Sequence, residues 1–257
     1  MTARMSARSV GAEMLDGMPP DHPAALRSRR DLRRVHRAMG SRTIVLRGLQ
    51  ALTAARQYNG APLRVLELGA GDGSLMLGVA HGLAPRWPRV ELTLLDRQPL
   101  LQRATIAAYA TLGWAASQHV ADVLEWATPS ACSPAATRHW DLIVANLFLH
   151  HFEGAELAAV LDAVAARCDR FFACEPRRDW LALAGSHLVG AIGANAVTRE
   201  DAVLSVRAGF RGEELTALWP AAQPPWPQPP QWPQWNLREY SAGLFSHCFS
   251  AARVGVR

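Results

Sequence analysis

A glycine-rich turn between an apolar strand and a helix constrains this chain more than any other stretch. Residues 65–74 read Val-Leu-Glu-Leu-Gly-Ala-Gly-Asp-Gly-Ser, and the mostly apolar residues 75–80 predict the helix. Glycine at every second position lets a ligand lie almost on the backbone, where side chains would block it. The spacing is not the Gly-x-Gly-x-x-Gly of dinucleotide dehydrogenases, and Glu67 before the turn would repel a pyrophosphate. The turn therefore favours a cationic or hydroxyl-rich ligand.

Strand and helix patterns alternate along the middle of the chain. Short apolar runs predict strands at residues 64–68, 90–95, 117–121, 141–146 and 170–175, and periodic segments between them predict helices. This alternation is typical of a parallel sheet with helices on its faces. The last segments, residues 236–240 and 245–254, alternate enough to predict a closing hairpin.

At residues 65–74 the chain resembles the class I S-adenosylmethionine-dependent methyltransferases, whose first motif is an acid-ending strand followed by Gly-x-Gly-x-Gly. Asp96 and Asp122, at the ends of the next two predicted strands, strengthen the resemblance. The resemblance is strong over residues 64–175 and loose outside them. It implies an α/β fold: a Rossmann-like, doubly wound, seven-stranded sheet, mostly parallel, with an antiparallel C-terminal hairpin and an N-terminal helical lid.

The chain of 257 residues fits one such domain preceded by the lid. We predict an N-terminal flexible segment and helical lid at residues 1–60, with residues 1–10 disordered. The methyltransferase domain then covers residues 61–257. A Pro/Trp-rich tract at residues 219–235 interrupts it as an insertion, because repeated prolines exclude a helix interior or a central strand.

The net charge of +5 comes from arginine alone, because the chain contains no lysine. Arginines crowd residues 27–47, and a solvated helix face and an anionic partner both stay open as explanations. No apolar run reaches eighteen residues and no signal-type segment begins the chain, so we expect a cytoplasmic protein with no membrane partner. The four cysteines lack metal-like spacing, and no metal site is predicted.

The resemblance implies S-adenosylmethionine as the cofactor. Ligands bind at the C-terminal ends of the strands in sheets of this class. Asp96 should accept hydrogen bonds from the ribose hydroxyls, Asp122 should hold the adenine amino group, and Glu67 should approach the methionine part. The residues expected to bind the cofactor are Glu67, Gly69, Ala70, Gly71, Gly73, Asp96, Arg97, Asp122, Val123, Asn146 and Leu147.

Residues 146–153, Asn-Leu-Phe-Leu-His-His-Phe-Glu, leave the fourth predicted strand beside the expected methyl group. Methyl transfer needs an aligned nucleophile and a base for its proton, and histidine is suited to that task near neutral pH. The stretch Phe148-Leu149-His150 resembles the histidine segment of aromatic O-methyltransferases. Glu175 lies where those enzymes have an orienting carboxylate. His151 stands where they usually have an acid, so His150 and His151 are both candidate bases.

Arg178, His187 and Asn195 are expected to contact the acceptor. The predicted function is methylation of a small molecule, with O-methylation of a phenolic or polyketide-like acceptor favoured and C-methylation of an aromatic or quinone-like precursor as the alternative. A nucleic-acid partner is disfavoured, since the chain lacks the Pro-Pro-aromatic motif that holds a flipped base. A non-catalytic cofactor-binding protein remains a further alternative. The sequence leaves the oligomeric state open, a homodimer included.

Overall fold

Seven strands form one sheet, and their order places five parallel strands beside an antiparallel pair. The computed structural model describes residues 7–54, 60–87, 89–128, 138–220 and 234–255. The strands run in the order β3-β2-β1-β4-β5-β7-β6, with β7 antiparallel to β5 and β6. This arrangement confirms the predicted fold class. The strands are β1 (Leu63–Leu68), β2 (Val90–Asp96), β3 (Trp114–Val120), β4 (Leu142–Asn146), β5 (Arg170–Pro176), β6 (Trp235–Ala242) and β7 (Ser246–Arg253).

Helices cover both faces of the sheet. They are α1 (Met14–Gly17), α2 (Pro23–Met39), α3 (Ser41–Leu52), α4 (Ser74–Leu83), α5 (Arg103–Ala110), α6 (Val123–Ala127), α7 (Gly154–Arg167), α8 (Trp180–His187), α9 (Ala196–Ala208) and α10 (Glu214–Leu218). None of these described helices is long and apolar enough to cross a bilayer.

The core has two layers because neighbouring strand residues point to opposite faces. Val65 and Phe172 join the cluster under α3 and α4, whereas Leu66 and Phe171 join the cluster under α6 and α7. These strands are buried on both faces, which explains why they appear in the sequence as continuous apolar runs.

Three elements between β2 and β4 differ from the prediction by more than one residue. Strand β3 begins at Trp114, which is buried and donates its indole N–H to Trp87 O. The sequence predicts a helix over residues 99–110, but helix α5 begins only at Arg103, since Leu101 N donates to the side chain of Gln118 instead of starting a helical turn. The short helix α6 was not predicted, and Asp122 caps it by accepting from Leu124 N at 2.7 Å.

The two N-terminal helices contribute differently. Helix α3 packs against α4, β5 and β7 and buries Val45 and Leu49. It therefore belongs, with α4, to the layer of helices that covers one face of the sheet. Helix α2 packs against α3 and α9 and leaves a row of arginines on its exposed side.

Residues 7–17, which we call the strap, are held by side-chain to backbone hydrogen bonds. Arg8 donates to Ala208 O at 2.9 Å and to Phe152 O at 3.0 Å, while Asp201 accepts from Met14 N and Leu15 N at 2.8 and 3.1 Å. The prediction that residues 1–10 are disordered is therefore wrong for residues 7–10, and residues 1–6 lie outside the described part of the chain.

The ends of the predicted insertion belong to the core. Trp219 is fully buried, stacks on Phe171 and meets the ring of Trp235 edge-on, with centroids 5.1 Å apart. The insertion is therefore shorter than predicted. Residues 221–233, like Cys132, lie outside the described residues.

Gly48 provides a test of the packing between α3 and β5. A Cβ atom at this position would lie 2.3 Å from the ring of Phe172. We expect Gly48→Ala to lower the free energy of unfolding by about 1–3 kcal/mol, measured by urea denaturation, because the ring has no room to move in a packed core.

Gly78→Ala is the matched control, since a Cβ there meets only the flexible side chain of Arg42 at 3.2 Å. Alanine favours the helix, by up to about 1 kcal/mol relative to glycine, so this variant should be as stable as the wild type or more so. Equal stability of both variants would contradict the close approach of α3 to β5.

Candidate active site

A cavity of about 980 Å³ opens at the C-terminal ends of β1, β2 and β4. Its floor is formed by the glycine turn after β1, by Asp96 at the end of β2, and by the segment after β4 that carries His150 and His151 (residues 147–153), which we call the histidine loop. Helices α2, α8 and α9 and the strap form its walls. The cavity lies where an α/β sheet of this type binds its ligands.

The glycine turn adopts a backbone that side chains disfavour. Gly69, Gly71 and Gly73 all have positive φ, at 65°, 56° and 71°. A Cβ on Gly69 would lie 2.1 Å from the ring of Phe148, whereas one on Gly71 would meet nothing within 4 Å. Gly71 thus leaves a space beside the backbone that a ligand can fill. The space beside Gly69 is filled by the ring of Phe148 from the histidine loop.

Asp96 holds the turn in place through both carboxylate oxygens. One oxygen accepts from Gly71 N at 2.8 Å and the other accepts from Gln98 N at 2.9 Å. A carboxylate has about four acceptor sites, so lone pairs remain for hydroxyl donors. Of the eleven predicted cofactor contacts, ten line the cavity: Glu67, Gly69, Ala70, Gly71, Asp96, Arg97, Asp122, Val123, Asn146 and Leu147. Gly73 lies just behind it, where its carbonyl accepts from the hydroxyl of Tyr109.

Two buried polar atoms on the cavity floor lack hydrogen bonds within the described structure. They are Oε2 of Glu67 and Oδ1 of Asn146. Burial, together with the charges of Asp72 and Asp96, raises the pKa of Glu67 to about 8. Buried acceptors of this kind are costly unless a donor reaches them. A ligand carrying a cationic N–H group would satisfy both.

The histidine loop after β4 is bound by one buried carboxylate. Leu147 has a φ of 49°, a conformation that side chains rarely adopt. The loop then turns so that Phe148 N and Leu149 N donate to Glu175 at 3.1 and 2.9 Å. Nδ1 of His150 lies 2.8 Å from the same carboxylate. Glu175, fully buried at the end of β5, therefore holds the imidazole of His150 through Nδ1.

A second carboxylate lies on the other side of the imidazole. Nε2 of His150 is 3.3 Å from Oε1 of Glu13 on the strap, and Ser205 of α9 donates its hydroxyl to that oxygen. Burial alone would lower the pKa of His150, but the hydrogen bonds with Glu13 and Glu175 outweigh it and raise the pKa to about 9. In this arrangement His150 is an imidazolium ion with both N–H groups engaged.

His151 lies beside His150 at a ring-centroid distance of 4.3 Å. Its Nδ1 is 3.3 Å from a carboxylate oxygen of Asp16, which is half exposed. Burial and the charge of His150 lower the pKa of His151. The two pKa values are therefore shifted in opposite directions, with that of His150 raised and that of His151 lowered.

Glu13, His150 and His151 place three ligand-type atoms within 4.8 Å of one another. Both ring nitrogens of His150 are already hydrogen-bonded to carboxylates. Hydrogen bonds between His150 and the two carboxylates are therefore sufficient to hold these side chains together.

The residues predicted to contact the acceptor lie away from the cavity wall. Arg178 is buried in an ion pair with Glu214, and Asn195 caps α9 by accepting from Thr198 N at 2.9 Å. His187 is exposed at the end of α8. The polar side chains of Arg178 and Asn195 therefore stabilise the fold and do not line the cavity.

Sequence reasoning missed the residues that the strap and α9 bring to the cluster. Glu13 and His150 are 137 positions apart, and no spacing rule relates them. Glu13, Asp16 and Ser205 all line the cavity, as do Arg29 and Arg33 of α2. The only sequence feature that pointed to the strap was the pair of acidic residues, Glu13 and Asp16, just before the turn sequence at residues 17–20.

Comparisons with known proteins identify the family of this chain. The sequence model of a family described as lysine methyltransferase matches residues 41–179, more than half of the chain. The match begins at the first residue of α3 and ends after β5, so it contains the glycine turn and the histidine loop. No curated protein matches the chain significantly.

Solved structures share the fold at low sequence identity. An O-methyltransferase family protein from Burkholderia thailandensis is 13% identical, with a TM-score of 0.58 over 100% of this chain and 68% of that chain. The methyltransferase domain of a bacterial CtHen1-C is 12% identical, with a TM-score of 0.52 over 82% of this chain and 96% of that chain.

A magnesium protoporphyrin IX methyltransferase from Synechocystis PCC 6803, solved with bound S-adenosylmethionine, is 12% identical, with a TM-score of 0.48 over 93% of this chain and 88% of that chain. The sheet order, the glycine turn and the family match lead to one conclusion. The chain belongs to the family described as lysine methyltransferase and is a class I S-adenosylmethionine-dependent methyltransferase.

Proposed function

We propose that this enzyme methylates a small, largely apolar molecule at a hydroxyl group, with His150 as the base. The observation that supports the proposal is the continuity of the cavity. It passes from the glycine turn to the His150 cluster, and beyond that point its walls are mainly apolar. Those walls include Leu32, Met39, Phe152, Leu188, Ile192 and Phe245.

The cofactor would be bound along the floor of the cavity. Asp96 is placed to accept from the ribose hydroxyls, Asp122 from the adenine amino group, and Glu67 with Asn146 from the cationic amine of the methionine part. Because Glu67 and Asn146 have buried oxygens in need of donors, they fit such a group. S-adenosylmethionine, when bound, supplies an electrophilic methyl group on a sulfonium leaving group.

The chain's own contribution would be to orient the acceptor and remove its proton. A phenol has a pKa near 10, so at neutral pH it needs a base during methyl transfer. With Nδ1 held by Glu175, only Nε2 of His150 can accept that proton. The apolar walls would exclude water and hold the ring of the acceptor.

C-methylation remains the alternative within the same site, because His150 could equally remove a proton from an activated ring carbon. A second candidate, lysine methylation, comes from the description of the matching family. Glu13 and Asp16 beside the histidines would attract a cationic amine. Against this reading, the strap covers the reaction centre, so a lysine on a protein surface would have to pass it.

Cofactor binding is tested by titration calorimetry with S-adenosylmethionine and S-adenosylhomocysteine. We expect Asp96→Ala to weaken both ligands strongly, because the variant loses the ribose acceptor and the hydrogen bond that holds Gly71. Asp169→Ala, which removes only the partner of His139 outside the cavity, should bind normally. Unchanged affinity in Asp96→Ala would contradict the assigned cofactor site.

Glu67 should give cofactor binding a proton signature. With a pKa of about 8 in place of 4.5, its carboxyl is mostly protonated at pH 7, and the positive charge of a bound ammonium group would favour its ionised form. We expect about one proton to be released per cofactor bound at pH 7, detected by calorimetry in buffers of different ionisation enthalpy. Glu67→Gln should abolish this release. Binding enthalpies of the wild type that do not depend on the buffer would contradict the role of Glu67.

The same shift affects stability. Between about pH 4.5 and 8 the folded protein retains a proton that the unfolded chain has lost, so the cofactor-free enzyme should become less stable as the pH rises through that window.

The catalytic roles of His150 and His151 are distinguished by activity assays with a panel of phenols as acceptors. His150→Ala should lower kcat by about 10²–10⁴-fold, the usual contribution of a general base, while leaving cofactor affinity unchanged. His151→Ala should lower it by less than about tenfold, since His151 lacks the contact with Glu175. Equal losses in the two variants, or activity lost to a chelator and restored by a divalent cation, would contradict His150 as the base.

A further inference from the structure

Glu13 occupies the position at His150 that an acceptor hydroxyl must reach. Only Nε2 of His150 faces the cavity, since Nδ1 is held by Glu175, and Oε1 of Glu13 lies 3.3 Å from that nitrogen. Both side chains are nearly buried, and Ser205 fixes the carboxylate from the opposite wall. A carboxylate and a phenolic oxygen cannot both make this hydrogen bond, so acceptor binding requires Glu13 to move.

The contact also determines the charge of His150. An imidazole donates through both nitrogens only when it carries a positive charge, and such a ring has no lone pair for a further proton. The groups that face His150 are Glu175 on β5, Glu13 on the strap and His151 on its own loop. Arg8 reaches its backbone carbonyl. With two carboxylates adjacent, the cation is the stable form.

We propose that Glu13 is a positioning residue, which holds the Nε2 proton of His150 in the acceptor-free enzyme and gives up its place to the acceptor hydroxyl. This inference rests on the proposed function of His150. As Glu13 withdraws, it remains a carboxylate and the Nε2 proton passes to solvent. The neutral ring, with its remaining proton on Nδ1 toward Glu175, would then accept the hydroxyl proton at Nε2. The acceptor oxygen would bond to the transferred methyl carbon as the carbon–sulfur bond of the cofactor breaks, with its electron pair left on sulfur.

The anchoring of the strap fits this exchange. Glu13 lies between anchors at Arg8 and at the backbone of Met14 and Leu15, which Asp201 of α9 holds. The side chain can therefore swing away from His150 while the strap stays in place. The acceptor would then be covered by the strap during the reaction.

The test measures the pKa of His150 directly by NMR of the enzyme with isotope-labelled histidine, with and without S-adenosylhomocysteine. The His150 signal is assigned by its loss in His150→Gln. In Glu13→Gln, which keeps the shape but removes the charge, the pKa should fall by more than one unit. Each unit raises the neutral fraction at pH 7 about tenfold. An unchanged His150 pKa in Glu13→Gln would overturn the proposal.

Asp16→Asn is the matched control, because Asp16 belongs to the same strap but faces His151. It should leave the His150 pKa close to that of the wild type, and a shift as large as that of Glu13→Gln would also overturn the proposal. These measurements need no turnover, so their failure is distinguishable from a failure of the proposed activity.

The pH dependence of kcat/KM provides a second test of the proposal. In Glu13→Gln the acid limb of kcat/KM for the acceptor should move to lower pH, so that kcat/KM at pH 7 rises several-fold. The rise is expected because the acceptor no longer competes with a charged partner of His150. A lower kcat/KM with an unmoved acid limb would mean that Glu13 only shapes the pocket, and would overturn the proposal.

Discussion

The carboxylate of Glu175 is the contact on which the reaction centre depends. A buried charge is costly unless hydrogen bonds replace its water shell, and here backbone amides of the histidine loop and the imidazole of His150 do so. In return the loop adopts one conformation, which includes the unfavourable backbone of Leu147. Strand β5 supplies Glu175 from the centre of the sheet, so the histidine is held by the most rigid part of the fold.

The N-terminal strap adds a second carboxylate to this centre from far away in the sequence. Glu13 and Glu175 lie on opposite sides of one imidazole, yet they differ in attachment. Glu175 is fixed on a central strand, whereas Glu13 belongs to a segment held by a few hydrogen bonds. One partner can therefore orient the ring permanently while the other leaves. With a fixed sheet below and a covering segment above, one cavity could bind the proposed cofactor on its floor and the proposed acceptor under the strap.

The sequence predicted the fold and the residues that line the floor of the cavity well, because both depend on local patterns. Apolar strands, a glycine turn and acids at strand ends follow from short-range rules, and Asp96 and Glu67 lie where those rules placed them. The acceptor half was predicted poorly. Arg178 and Asn195 proved to be an ion pair and a helix cap. Glu13 and Ser205 enter the site only through tertiary packing, which no local spacing reveals.

The contact between Gly69 and Phe148 has a consequence for how this enzyme can vary. The ring of Phe148 lies in the space that a side chain at position 69 would need. The cofactor turn and the histidine loop are therefore joined by a single shared surface. A larger residue at position 69 would displace the loop that carries His150, and a differently shaped residue at position 148 would leave a gap under the turn. The two motifs must change together, so the shape of the cavity can vary more freely in its other walls, which are the strap, α2, α8 and α9.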